Sequence, residues 1–292
     1  MPDPAYLAQL VVNGLVIGAI YALLAIGLSL IFGIMEVVNF AHGEFYMLGA
    51  MATYFLVAWL GLDYWLAVIA VLLLSLCAGF AFYWLLTRAK SARGFEHSML
   101  LTLGLAMLLQ NGTLYLFTAN PRLVTTSFSS SQLIVGGITV SWVRVSAFGL
   151  SAAAFAGLYA LLYLTRTGRA MRAVAENRQA ALMVGIVPET LGRVAIMTGI
   201  ALCGLAGAAL SPVYVVQPLM GALFVFKAFA IVIIGGFGSI GGAVVAAMSL
   251  GLMESVISGY VSLVATDMTA FAIMIAVLLI RPLGLFGRGV RI

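Results

Sequence analysis

The chain has 292 residues, of which 64% are hydrophobic and 8% charged, with a mean hydropathy of +1.19. A soluble domain carries about 25% charged residues, so this composition excludes a water-exposed globular surface and points to helices in lipid. The formal net charge of +5 sits in the gaps between apolar runs, which argues for a membrane explanation and against nucleic acid.

The start, Met1-Pro2-Asp3-Pro4, lacks a basic stretch and a small-residue cleavage site after its apolar run. It reads as a mature start and not as a signal peptide. About 20 apolar residues span a bilayer. On that ruler, membrane segments run over 7–33, 40–60, 64–87, 98–118, 143–164, 191–211, 222–260 (broken near 235–242) and 267–281. They predict an all-α fold: one polytopic transmembrane helical bundle over 1–292, of about eight spans, with broken or re-entrant segments.

The first interruption, Phe32 to Phe45, holds three of the rare ionisable groups of the chain, Glu36, His42 and Glu44. Charges in hydrocarbon cost several kcal/mol and usually face a bundle interior, water or a partner. Gly33 and Gly43 permit backbone turns there, and Asn39 adds a polar group. Two readings stay open: a re-entrant helix beside a transport pathway, or a solvated turn. A metal site from Glu36, His42 and Glu44 is weakly supported and no metal is assigned. Cys77 and Cys203 lie in apolar runs and read as packing residues.

The stretch 119–142 is polar, with Asn120-Pro121, a Thr/Ser run and Gly136-Gly137. It is long enough for a small hairpin or lid, or a plain solvated loop. The stretch 165–190 predicts a short amphipathic helix, capped by Thr167 or Gly168 and ending near Gly185, with Pro188 beyond. Met171, Val174, Ala175, Leu182 and Met183 fall on one face; Arg169, Arg172, Glu176 and Gln179 fall on another. Such a helix either lies on anionic lipid or docks in a groove on a cytoplasmic partner.

The second interruption, Ile234 to Gly242, contains Gly235, Gly236, Gly238, Gly241 and Gly242. A continuous helix is disfavoured, since each glycine costs up to about 1 kcal/mol against alanine. No Lys-Ser/Thr ending follows, so a phosphate-binding loop is rejected. Interrupted segments at matching places in two halves point to a transport pathway.

Eleven of the fourteen Lys and Arg fall on one side if the helices alternate: Arg88, Lys90, Arg93, Arg166, Arg169, Arg172, Arg178, Arg193, Arg281, Arg288 and Arg291. Arg122 and Arg144 fall opposite, and Lys227 lies near the start of a span. The positive-inside rule then places the C-terminus in the cytoplasm and the N-terminus outside. No Ser/His/Asp arrangement or HExxH is present, and His97 lies in a basic inner loop. An enzyme is not expected.

The run GLVIGAIYALLAIGLSLIFGIMEVVNFAHGEFYMLGA (14–50) resembles the permease subunits of branched-chain amino-acid ABC importers. RAVAENRQAALMVGI (172–186), AIVIIGGFGSIGGAVVAA (230–247) and RPLGLFG (281–287) occupy matching places in that family. The resemblance covers nearly the whole chain and is to the shorter of the two permease types. It implies a bacterial inner-membrane subunit carrying half of a pathway for branched-chain or related small amino acids. It also implies a second permease subunit, two cytoplasmic ATPase subunits that hold ATP and magnesium, and a periplasmic substrate-binding protein. This chain would bind no cofactor itself.

By the same resemblance the loop around Glu176 is the coupling segment, with Arg169, Arg172, Glu176, Asn177, Arg178 and Gly185 toward the ATPase. The general ABC-permease pattern has Ala-Ala after the Glu and then Gly; here Asn177-Arg178 follow Glu176 and Gly185 is nine residues on. The pathway residues implied are Gly33, Glu36, Asn39, His42, Gly43 and Glu44, with the five glycines of 235–242. An apolar cavity with a few polar groups suits an aliphatic amino acid. Asn13, Tyr21, Ser29, Asn39 and Gln110 are candidates for those groups or for interhelical hydrogen bonds. An ion-coupled secondary transporter using Glu36, His42 or Glu44, and a passive channel, are the alternative functions.

Overall fold

The structure is a computed structural model that describes residues 4–135 and 138–287, with backbone alone at Pro4, 89–96, 135, 263 and 264. The expectations on Met1 to Asp3, Gly136-Gly137, Arg288 and Arg291, and on the side chains of Lys90 and Arg93, lie outside the described residues.

Helix α1 (Pro4–Met35) runs for 32 residues. It is buried all round from Gly18 to Ile31, as a helix apolar on every face must be. Its end at Met35 does not turn on Gly33, which is helical. The turn falls at Glu36, whose φ is +54° and whose N–H donates to the Phe32 carbonyl at 2.9 Å. An irregular stretch follows, and α2 (His42–Ala58) leads away.

Helix α3 (Tyr64–Phe117) takes in two predicted spans over 54 residues. A straight helix of that length would be about 80 Å long, yet its two ends share one face of the bundle. Phe117 packs on Phe55 with ring centroids 4.4 Å apart, and the Tyr64 hydroxyl donates to the Ala208 carbonyl at 3.1 Å. Tyr83 and Thr102 instead reach Glu189 and Val38 at the opposite face. The two halves are therefore antiparallel spans, as the sequence suggests. His97 lies within this helix and is exposed.

Strands β1 (Gln132–Val135) and β2 (Ile138–Ser141) pair antiparallel, so the polar 119–142 stretch contains a hairpin. It sits over the start of α1, where the Thr139 N–H donates to Gln9 at 3.0 Å. Helix α4 (Trp142–Tyr159) continues into a π-helical turn at Ala160–Leu164. Two short helices, α5 (Arg166–Glu176) and α6 (Arg178–Met183), then cross the far face. Helices α7 (Pro188–Leu210), α8 (Met220–Gly235), α9 (Ile240–Tyr260) and α10 (Leu263–Ile280) complete the bundle.

Six helices or helix halves among the described residues are long and apolar enough to cross a membrane, and α8 and most of α10 are shorter apolar helices. With α2 these make nine segments, the 222–260 stretch supplying two. The start of α1 lies with the hairpin, and the 281–287 tail lies on the opposite face, where it bonds to the end of α8.

Small residues let the helices approach closely, as expected where lipid supplies no hydrophobic drive. A methyl on Gly18 would lie 3.0 Å from the Met248 Cα, and one on Gly14 2.8 Å from the Leu252 Cα. Cys203 is fully buried, its thiol 2.9 Å from the His42 carbonyl. Cys77 is exposed on α3 and does not pack.

Candidate functional site

Three places bring polar or charged groups into or onto the apolar bundle. The first is the start of α2. Glu36 stays exposed on the α5 face, while Asn39, His42 and Glu44 are buried. The first interruption thus has an exposed end at Glu36 and a buried end that holds Asn39, His42 and Glu44. Asn39 accepts from the Ala41 N–H at 3.1 Å, and His42 Nε2 lies 2.9 Å from the Leu24 carbonyl, well inside α1. Helix α2 therefore begins within the bundle.

Helix α8 begins beside it. Neither helix start carries a side-chain cap. A methyl on Gly43 would overlap the Gly221 carbonyl and lie 2.7 Å from the Val225 Cβ; one on Gly221 would lie 2.7 Å from the Glu44 carboxylate. Gly43 is thus a close-approach glycine and not a turn. Glu44 sits in the first turn of its own helix and against the first turn of α8, where both helix dipoles favour negative charge. The partner of the 36–41 interruption is accordingly 211–219, marked by Pro212 and Pro218. Interrupted helices whose N-terminal ends meet inside a bundle are the arrangement transporters use around small polar ligands.

The glycine run 235–242 plays a different part. Gly236 and Gly238 have φ of +96° and +76°, and Ser239 caps α9 by accepting from the Gly242 N–H at 3.1 Å. A methyl on Gly242 would overlap the Gly235 carbonyl, Gly238 faces Gly33, and nothing lies within 4 Å of Gly241. The tail bonds back onto the end of α8, Leu285 N–H to the Ile234 carbonyl at 2.8 Å and Phe286 N–H to that of Gly235 at 3.2 Å. These contacts satisfy carbonyls that a helix end leaves open.

The second place is an ion network that the sequence reading missed. Lys227 is buried inside α8 and not at a span start. Its Nζ lies 3.0 Å and 3.1 Å from the two carboxylate oxygens of Glu254 on α9, and 3.0 Å from Asp267 on α10. It also donates to the Tyr21 hydroxyl at 3.1 Å, which donates to Glu254 at 2.8 Å. Tyr21, one of the polar candidates, thus ties α1 to the charges. Asn13 instead accepts from Arg144. Ser29 is buried with no hydrogen bond among the described residues, and Gln110 is half-buried on α3. The available signal was simple: three charges, each alone in a long apolar run.

The third place is the 165–190 loop. The expected single helix is two, and its cap is Thr165, which accepts from the Gly168 N–H at 2.9 Å. Asn177 breaks the run and caps α6 by accepting from the Ala180 N–H at 2.9 Å. Gly168 packs so closely on the π-helical turn that a methyl there would lie 2.5 Å from the Leu162 Cα. Met171 and Val174 are buried, whereas Leu182 and Met183, expected on the same face, are exposed, Met183 by 89%. Arg178 turns inward to the Ile34 carbonyl at 3.1 Å and pairs with Glu189 at 3.3 Å. Arg172 lies over the Tyr163 ring at 4.3 Å. Arg169 and Glu176 are exposed, and Gly185 turns the chain with φ of +81°.

Residues 10–278 match the family model described as branched-chain amino acid transport system / permease component. The chain belongs to this family. It is 31% identical to the high-affinity branched-chain amino acid transport system permease protein LivH of Salmonella typhimurium, over 97% of this chain and 96% of that protein. It is 32% identical to the corresponding permease protein BraD of Pseudomonas aeruginosa, over 99% of this chain and 98% of that protein. A solved chain of PsaBC from Streptococcus pneumoniae in complex with Fab superposes with a TM-score of 0.51 at 12% identity, covering 96% of this chain and 93% of that one. At that identity the likeness speaks for the fold alone.

Proposed function

We propose that this chain is the membrane-spanning permease subunit of an ATP-binding-cassette importer for branched-chain or related small amino acids. The α5 face is cytoplasmic and the hairpin face external, in the bacterial inner membrane. The partners are a second permease subunit, two ATPase subunits that carry ATP and magnesium, and a periplasmic binding protein. The chain itself turns over no nucleotide.

The observation that carries this reading is the two-sided build of the 165–190 loop. Its underside is fastened to the transport core: Met171 and Val174 are buried, and Ala175 approaches Gly33 at the end of α1. Its outer side presents Leu182, Met183, Val184 and Val187, each at least 50% exposed. A loop anchored below and apolar above suits a groove on a partner. Arg169, Glu176 and Gly185 belong to that outer side. Arg172, Asn177 and Arg178 hold the loop in shape and transmit its movement to α1 and α7. Motion of the loop reaches Gly33 and Gly238, and through α1 and α8 the junction at Gly43, Glu44 and Gly221. Coupling requires that the ATPase bind the two states unequally.

The test is co-purification of the ATPase with intact chain and with Leu182→Asp/Met183→Asp. Neither side chain lies in the packed core, so the bundle should persist. Recovery of the ATPase is expected to fall by about tenfold or more, as for an interface that loses about 1.4 kcal/mol per decade. Glu176→Arg should act in the same direction. Undiminished recovery with the double variant would mean that the loop does not dock.

A further inference from the structure

Lys227, Glu254 and Asp267 place one positive and two negative charges within a few ångströms of each other, between α8, α9 and α10. Ion pairs of this kind are poor devices for stability, since well-packed apolar residues of similar volume do as well or better. Ionisable groups within membrane helices belong by default to function. The network holds one ammonium and two carboxylates, so it offers acceptors to a cationic group and a donor to an anionic group.

Three features of its surroundings say which groups. The Lys227 and Glu254 side chains are each 6% exposed, but Asp267 is 47% exposed, so the Lys227–Asp267 edge opens away from the bundle. The network lies toward the hairpin face, within two helical turns of the end of α9 and the start of α10. Finally, the charges adjoin an aromatic wall. The Lys227 ammonium lies 5.4 Å from the Tyr21 ring centroid, Tyr21 packs edge-on to Phe224 at 6.0 Å, and Phe224 packs on Tyr46 at 4.5 Å. The Tyr46 hydroxyl is wholly buried and has no hydrogen-bond partner among the described residues.

We propose that Lys227, Glu254 and Asp267, walled by Tyr21, Phe224 and Tyr46, form a headgroup site for an aliphatic α-amino acid zwitterion, and that Lys227 and Asp267 close on each other when it is empty. An α-ammonium meets the two carboxylates in place of Lys227. The α-carboxylate takes the released Lys227 ammonium. An aliphatic side chain lies on the aromatic wall, and the unpartnered Tyr46 hydroxyl is free to donate. This deepens the importer reading and rests on it.

The experiment uses the whole complex of this chain with its partner permease and ATPases, purified in lipid nanodiscs without binding protein. Equilibrium binding of radiolabelled leucine is measured against leucinol, which lacks the carboxylate, and 4-methylpentanoate, which lacks the ammonium. Saturable leucine binding is expected that neither single-charge analogue displaces at about tenfold excess. Asp267→Asn and Lys227→Met should each weaken it by about tenfold or more, as for a lost charge-assisted hydrogen bond, and Asp267→Glu should retain it.

A neutral triple variant, Lys227→Met/Glu254→Gln/Asp267→Asn, removes the folding hazard of a lone buried charge. It should assemble with the partner permease and the ATPases, yet lose leucine binding and uptake. A neutral triple that takes up leucine at the rate of the unaltered complex would overturn the site, and so would uptake by the unaltered complex with no saturable leucine binding. Failure of the unaltered complex to show any ATP-driven uptake would instead overturn the importer reading.

Discussion

Lys227→Met is expected to destabilise the purified chain by about 3–5 kcal/mol, because it strips the counter-charge from two carboxylates and leaves Glu254 buried and unpaired. The Glu254 side chain is 6% exposed, so water cannot replace the ammonium. Thermal unfolding in mild detergent measures the loss. Pairing the change with Glu254→Gln should recover most of it, since the remaining carboxylate, Asp267, is half-exposed and can be hydrated. Asp267→Asn alone should cost much less, for the same reason. A Lys227→Met variant as stable as the unaltered chain would mean that the three charges do not meet.

Gly43→Ala is expected to cost about 2 kcal/mol or more, at the upper part of the range for overpacking. The added methyl would overlap the Gly221 carbonyl and stand 2.7 Å from the Val225 Cβ, so backbone, and not a flexible side chain, would have to move. The α2 and α8 starts would part, and with them the junction proposed for the pathway. Transport should fall with stability. Gly241→Ala is the control, because nothing lies within 4 Å of that position. It should leave transport unchanged, and stability unchanged or raised by up to about 1 kcal/mol, the helix-propensity gain of alanine over glycine. Equal effects at the two glycines would contradict the close approach of α2 and α8.

The spans were readable because hydropathy reports what a backbone in lipid demands: long runs whose hydrogen bonds close within the segment. The hairpin was one of the readings that the polar, glycine-containing 119–142 stretch left open, and the loop helix was readable from its amphipathic pattern, although its cap is Thr165 and not Thr167 or Gly168. What the sequence could not give is which single charges find each other. Lys227 and Glu254 are 27 residues apart and Asp267 lies on a third helix, so no spacing rule links them. The split between α5 and α6 was signalled by Asn177, a good N-cap residue, but a continuous helix fitted the same pattern. The 211–219 interruption was marked by its two prolines. The five glycines of 235–242 drew the eye instead, although they serve a turn and a close helix pair on the α5 face. Gly33 shows the same limit: a glycine in a helix can be there for a neighbouring backbone, here that of Gly238, and not for a turn.

The most direct test of the whole account is radiolabelled leucine uptake into proteoliposomes, comparing the chain alone with the chain plus second permease, ATPases and loaded binding protein. The account predicts uptake by the full assembly only, dependent on ATP inside the assay's cytoplasmic-facing compartment and unchanged when H⁺ or Na⁺ gradients are collapsed. Uptake by the chain alone, driven by an ion gradient or running passively, would contradict it.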